Sequence, residues 1–173
     1  GSLTGQQMRW AQMLRRKSSI DAFITSNTDP LDDKAMVSVR LFRNGGTKIR
    51  LNLRKETPDI HVTLPLRVQV LSFTSLQPYA TDTKKQQILV KHLKEEIKKE
   101  VLDVIHLSQK KFGGDLFEWE LVARKHFMTV SAFQKYGWSE HFKKANVNVH
   151  VELRIENFGK QRTPYIESGQ KAG

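Results

Sequence analysis

The stretch from Thr83 to Asp115, TKKQQILVKHLKEEIKKEVLDVIHLSQKKFGGD, constrains the fold more than any other part of the chain. Apolar residues at Val90, Leu93, Ile97, Val101, Val104 and Ile105 recur at steps of three and four, which places them on one side of a single helix. Thr83 with Gln86 reads as a capping-box start and Gly113-Gly114 as a stop. About 28 helical residues rising roughly 1.5 Å each make a rod about 40 Å long. One stripe on so long a rod needs one extended partner surface, and the strands on either side of it can supply that surface.

Those strands are read from alternation. Val37, Val39 and Leu41 alternate with Ser38 and Arg40, and Asn44-Gly45-Gly46 predicts a hairpin turn. Ile49, Leu51 and Leu53, alternating with Lys48, Arg50, Asn52 and Arg54, then form the return strand. Ile60, Val62, Leu64, Leu66, Val68 and Val70 make a longer run, in which Pro65 cannot donate a ladder hydrogen bond and so predicts an edge, a bulge or a break. After the helix, Asp115 and Glu118 signal a short helix over 116–127, and Ser131 with Gln134 a further one ending at Gly137. Val147, Val149, Val151, Leu153 and Ile155 form the last strand, at an edge or in the middle of the sheet. The order βββααβ predicts an α+β fold, with an antiparallel or mixed sheet of about four strands packed on one long helix plus short helices.

The ends read differently. Gly1-Ser2 has the look of a protease scar, and Thr4 to Met8 resembles the core of an epitope tag. Trp10, Met13 and Leu14 suit a short helix, Ile20, Ala22 and Ile24 a weak strand, and Ser26 to Pro30 a turn. Residues 1–35 are therefore expected to be a tag, a linker or the tail of a preceding domain, 36–160 the α+β domain, and 161–173 a polar tail.

The chemistry is defined mostly by what the sequence lacks. There is no cysteine, hence no disulfide and no thiolate ligand, and no run approaching the roughly 20 apolar residues of a membrane span. The six histidines have no zinc-ligand spacing. No nucleophile elbow or P-loop is present, and in the acidic group Asp115, Glu118 and Glu120 helix capping explains the first two more simply than paired catalytic carboxylates do. No cofactor and no catalytic residue is assigned. The net charge of +11 suggests an anionic neighbour, nucleic acid or an anionic membrane surface, although its spread along the chain in pairs is also that of an ordinary solvated surface. Arg40, Lys48, Arg50 and Arg54 lie on the wet side of the first strands, and Lys98, Lys99, Lys110 and Lys111 on the long helix; these are the candidate interaction residues. A basic nucleic-acid-binding domain is the alternative, disfavoured because the aromatics from Phe112 to Phe142 have the spacing of core packing rather than of a base-stacking platform.

Several of these pieces, taken in succession, resemble a known family. They are VSVRLFRNGGTKIRLNL, PDIHVTLPLRVQV, the helix ending in Gln109-Lys110 before Asp115-Leu116-Phe117, then Arg124-Lys125, Trp138, Phe142 and a Val-alternating strand ending near Gly159. This succession is similar to the C-terminal domain of the Ger(x)C family, the C subunits of spore germinant receptors. Two departures stand out: Glu118-Trp119-Glu120 where the family is Gly-rich, and no Pro before the Trp. The resemblance makes Asp115, Phe117, Trp138 and Gly159 structural positions. It implies a non-catalytic subunit at the outer face of the spore inner membrane, anchored by a lipid on a Cys outside this chain. Its implied partners are integral-membrane subunits of the A and B types and an anionic membrane surface, with nucleic acid not expected.

Overall fold

Five strands form one sheet, and the helices pack on one of its faces. The structure, a computed structural model, describes residues 1–158. The element order is α1 (Gly5–Met13), β1 (Ala22–Asp29), β2 (Asp32–Arg43), β3 (Lys48–Asn52), β4 (Asp59–Phe73), α2 (Thr83–Leu107), a π turn (Ser108–Phe112), α3 (Glu120–Ala123), a 3-10 turn (Arg124–His126), α4 (Val130–Tyr136), α5 (Trp138–Lys144) and β5 (Asn146–Asn157). The α+β class and the sheet on a long helix are as the alternation and the stripe predict.

The sheet is mixed. β1 pairs antiparallel with β2, and both β2 and β3 pair antiparallel with β4 along one of its edges. β2 takes Leu66 to Phe73 and β3 takes Asp59 to Thr63, so β2 and β3 run in the same direction, end to end. The expected hairpin at Asn44-Gly45-Gly46 is therefore not there. The segment is a jog within one interrupted strand, with Gly45 at φ 99°, and the hairpin lies earlier, between Asp29 and Asp32.

Pro65 explains the interruption. Its carbonyl accepts from Asn44 N–H (2.9 Å), and in an extended chain the N–H of a residue points the same way as its carbonyl. The missing donor thus faces the gap between β2 and β3, where no ladder partner stands. The break that Pro65 predicts is in its neighbours, not in β4 itself.

The other edge of β4 is taken by β5, in parallel, from Asp59↔Asn146 to Gln69↔Asn157. A parallel neighbour needs a long crossover, and α2 is that crossover. The buried stripe of α2 is Leu89, Leu93, Ile97, Val101, Val104 and Ile105; Leu89 replaces Val90, which is half-buried. The N-cap is Asp82, whose carboxylate accepts from Lys85 N–H (3.1 Å); Gln86 is drawn off to the carbonyl of Tyr79 (2.7 Å), so the Thr83–Gln86 box does not form. The stripe packs on Val37, Val39 and Leu41 of β2, the even-numbered residues Ile60 to Val70 of β4, and Val149 and Val151 of β5.

The expectation for residues 1–35 needs correction. Trp10, Met13 and Leu14 are fully buried in the same core, and β1 is a strand of the same sheet. Trp10 Nε1 donates to Glu100 on α2 (2.5 Å), Thr47 Oγ1 donates to Met13 O (2.6 Å), and Trp119 Nε1 donates to Leu14 O (3.0 Å). A domain edge at residue 36 falls inside β2. In β1 the inward set is Phe23, Thr25, Asn27 and Asp29, opposite to the Ala22–Ile24 register read from hydrophobicity. Polar residues point inward because they have partners there. The Asp29 carboxylate accepts from Ser75 Oγ (2.6 Å), Tyr79 OH (2.5 Å) and Leu31 N–H (2.8 Å), tying the loop before α2 to the sheet.

After α2 the structure departs from a single helix over 116–127. Gly113 (φ 62°) ends the π turn, and only α3 and the 3-10 turn are helical before Phe127. α4 ends at Gly137 (φ 68°) as predicted, but its cap is Thr129, and α5 follows at once. The expected tail at 161–173 lies outside the described residues.

Candidate functional site: the open face of the sheet

The face of the sheet away from α2 is uncovered among the described residues, and it is basic. Register puts its side chains in rows. Arg50 of β3 stands opposite His61 of β4, with Asn148 of β5 beyond; Lys48 stands opposite Thr63, with His150 beyond. Pro65 with the exposed Glu152 makes the next row, Phe42, Arg67 and Arg154 the one after it, and Arg40 pairs with Gln69 one row further. The structure therefore brings Arg40, Lys48 and Arg50 onto one face, and adds Arg67 and Arg154, which the sequence reading left out of the site. The parity of β4 and β5 carries that signal: both residues fall between the inward positions of strictly alternating strands.

Several of these charges have partners. Arg67 is ion-paired to Glu156 (2.5 Å) and its guanidinium lies 5.3 Å from the centroid of Phe42, so that ring is covered rather than offered for stacking. Asp59, at the end of the same face, accepts from Lys55 Nζ (2.6 Å) and from Asn146; hydrogen bonds from these two groups hold its carboxyl below the usual range. Lys48 and Arg50 are exposed. The aromatics Phe117, Trp119, Trp138 and Phe142 are buried, as expected.

The other candidates lie elsewhere. Arg54 is exposed just beyond β3, against a cleft that also touches His126, Phe127 and Tyr136. Lys98 and Lys99 are exposed on α2, and Lys110 and Lys111 on the π turn, in the helical layer behind the sheet. The eight candidate cations thus do not make one site. Lys98 and Lys99 are also interleaved with Glu95, Glu96 and Glu100, so the outer side of α2 is of mixed charge.

The positions singled out by the family pattern gather in a buried knot. The Asp115 carboxylate accepts from Phe117 N–H (2.9 Å), Glu120 N–H (2.7 Å) and Trp138 Nε1 (3.0 Å), while burial pushes its carboxyl pKa up. Gln109 Nε2 donates to Phe142 O (2.8 Å) and Ala145 O (3.0 Å), joining the π turn to α5. Phe117, Trp119 and Phe142 pack with ring centroids 4.7–6.3 Å apart. These are packing and capping roles. Gly159 lies outside the described residues. Glu118, in the stretch where the family is Gly-rich, takes φ 59°, a conformation suited to glycine, and pairs with Arg15 (3.1 Å). Among the described residues no group of three or more His, Asp or Glu could hold a metal ion, and no helix is long and apolar enough to cross a membrane.

Comparison with known proteins agrees with this geometry. The family described as "Spore germination B3/ GerAC like, C-terminal" matches residues 1–159, so it includes α1 and β1. No curated protein matches the chain. A solved structure, "Crystal Structure of the GerBC protein", superposes with a TM-score of 0.68 at 15% identity, covering 91% of this chain and 47% of that one. At that identity the likeness is one of fold, and this chain spans about half the length of the solved protein. The match over all of the described residues settles the family: the chain belongs to the spore germination B3/GerAC-like C-terminal family.

Proposed function

We propose that the chain is the C-terminal interaction domain of a germinant-receptor C subunit, working without catalysis in the response of spores to nutrients. It sits at the outer face of the spore inner membrane, held by a lipid on a Cys outside this chain. Its neighbours are A- and B-type integral-membrane subunits and anionic lipid. The observation that carries this reading is the family match over residues 1–159. The open basic face supports it, because a sheet with one packed side and one charged side offers a broad, rigid surface on the packed core.

The test is charge reversal on that face in spores. Lys48→Glu with Arg50→Glu, both at exposed positions, should slow nutrient-triggered germination while the level of the subunit stays unchanged. Germination at the normal rate with both reversals in place would count against the sheet face as a working surface. Tight, steeply salt-dependent DNA binding by the purified chain, with no recovery of the A and B subunits alongside it, would replace the reading with the nucleic-acid alternative.

A further inference from the structure

The region from Leu121 to Tyr136 contains no acidic residue, although the whole chain has 18 in 173 positions. It carries Arg124, Lys125, His126 and Lys135. It also presents apolar side chains to water: Met128 is 99% exposed, Leu121 58% and Val130 55%.

The tip is held in place from behind. Phe127 turns inward and packs against Phe133 (centroids 5.5 Å apart) and Tyr136 (5.1 Å), and Tyr136 stacks on His141 (3.9 Å). Phe127 is extended, and successive side chains of an extended chain point to opposite sides, so Met128 is directed outward. Thr129 then caps α4, its hydroxyl accepting from Ala132 N–H (3.0 Å), which fixes the chain immediately after the tip. Arg124 donates to Phe127 O (3.1 Å) and closes the turn before it. Arg54 adds a further exposed cation across a cleft of about 580 Å³ that it shares with His126, Phe127 and Tyr136.

We propose that this lobe is a membrane-seating tip, in which Met128 and Val130 enter the headgroup boundary of an anionic bilayer while Lys125, His126, Lys135 and Arg54 meet the lipid phosphates. The inference rests on the membrane-surface placement proposed above and names the part of the chain that makes the contact. Apolar and cationic groups together are what an interfacial element needs: the first supply burial, the second attraction to anionic lipid. A convex tip suits a fluid surface that closes around it, whereas a rigid protein partner needs a matching hole.

The experiment is binding of the purified 173-residue chain to phosphatidylcholine vesicles with and without phosphatidylglycerol. The chain should bind only the vesicles containing phosphatidylglycerol. Met128→Asp should lower that binding roughly tenfold or more, with an unchanged melting temperature because the side chain is 99% exposed. Lys125→Glu with Lys135→Glu should lower it comparably. In Met128→Trp the added indole should shift its emission to the blue on vesicle addition. Lys48→Glu with Arg50→Glu should leave most of the binding in place. Equal binding by Met128→Asp and the parent chain, an unshifted indole, loss only in the sheet-face variant, or capture by poly-glutamate but not by vesicles would each overturn the tip. Germination in spores tests the receptor role separately, so the two ideas can fail independently.

Discussion

Gln109 offers a direct test of the knot that joins the long helix to the last strand. The π turn at Ser108–Phe112 widens the end of α2 and swings Gln109 inward, to 6% exposure, where its amide donates to the carbonyls of Phe142 and Ala145. In Gln109→Leu the volume is kept and both bonds are lost. The two carbonyls then fare differently. Phe142 O still receives Ala145 N–H (3.2 Å), while Ala145 O, immediately before β5, loses its side-chain donor. An unsatisfied buried carbonyl costs about 1–3 kcal/mol and the second lost bond about 1, so the total is about 2–4 kcal/mol. For a chain of this size that is a drop in melting temperature of roughly 5–15 °C. Urea unfolding followed by tryptophan emission should show a lower midpoint at unchanged slope. Lys110→Leu, one residue along and exposed, is the control and should change stability by less than about 0.5 kcal/mol. If Gln109→Leu lies within that same margin of the parent, the argument from buried polar groups is wrong.

Three further outcomes follow from the packing. Tyr79 is driven to its neutral form by burial first and by the Asp29 carboxylate second, so its hydroxyl ionises well above the ordinary value. The unfolded chain gives up this proton near pH 10; stability from it is therefore complete below about pH 10 and falls as pH rises beyond. Tyr79→Phe should flatten that alkaline fall and cost about 1.5–3 kcal/mol at neutral pH, read by unfolding at several pH values. Removing residues 1–14 strips Trp10, Met13 and Leu14 from the core, and each buried large side chain contributes about 1.5–3 kcal/mol. The shortened chain should show no cooperative thermal transition, and a sharp one would restore the idea of a dispensable leader. Pro65→Ala should stay within about 1 kcal/mol of the parent because no ladder partner faces that position, whereas Val62→Pro, paired on both sides, should cost at least about 2 kcal/mol in the same assay.

What the sequence made legible was what repeats. The stripe from Leu93 to Ile105 and the alternation from Val147 to Ile155 are long enough for period alone to fix helix, strand and buried face. Single-residue signals were less secure. Asn44-Gly45-Gly46 satisfies a hairpin turn and a jog equally well, because both need a positive φ; the difference lies in Pro65, some 20 residues away. Thr83 and Asp82 are both good caps, and only the pull of Tyr79 O on Gln86 decides between them. The first 35 residues misled because β1 hides behind polar inward side chains that are satisfied by Ser75, Tyr79 and Gln6, residues far off in sequence or on another element. On the open face, Lys48 and Arg50 could be assigned from their own strand, and alternation in β4 and β5 already turned Arg67 and Arg154 outward, but only the pairing register set them beside the others.

That parallel register also has a consequence in time. Asn146 meets Asp59 across 87 positions of chain, with all of α2 and the short helices between them. The β1–β2 hairpin and its pairing with β4 need shorter closures, and a helix winds in about a microsecond or less, so these steps can run ahead. During that interval one whole edge of the 15-residue β4 has no partner, and its valine-rich length is open to a neighbouring chain. Sheet closure by β5 is therefore the slow event and the moment of greatest risk. Refolding yield should fall with protein concentration at that stage, long before the finished domain itself becomes prone to associate.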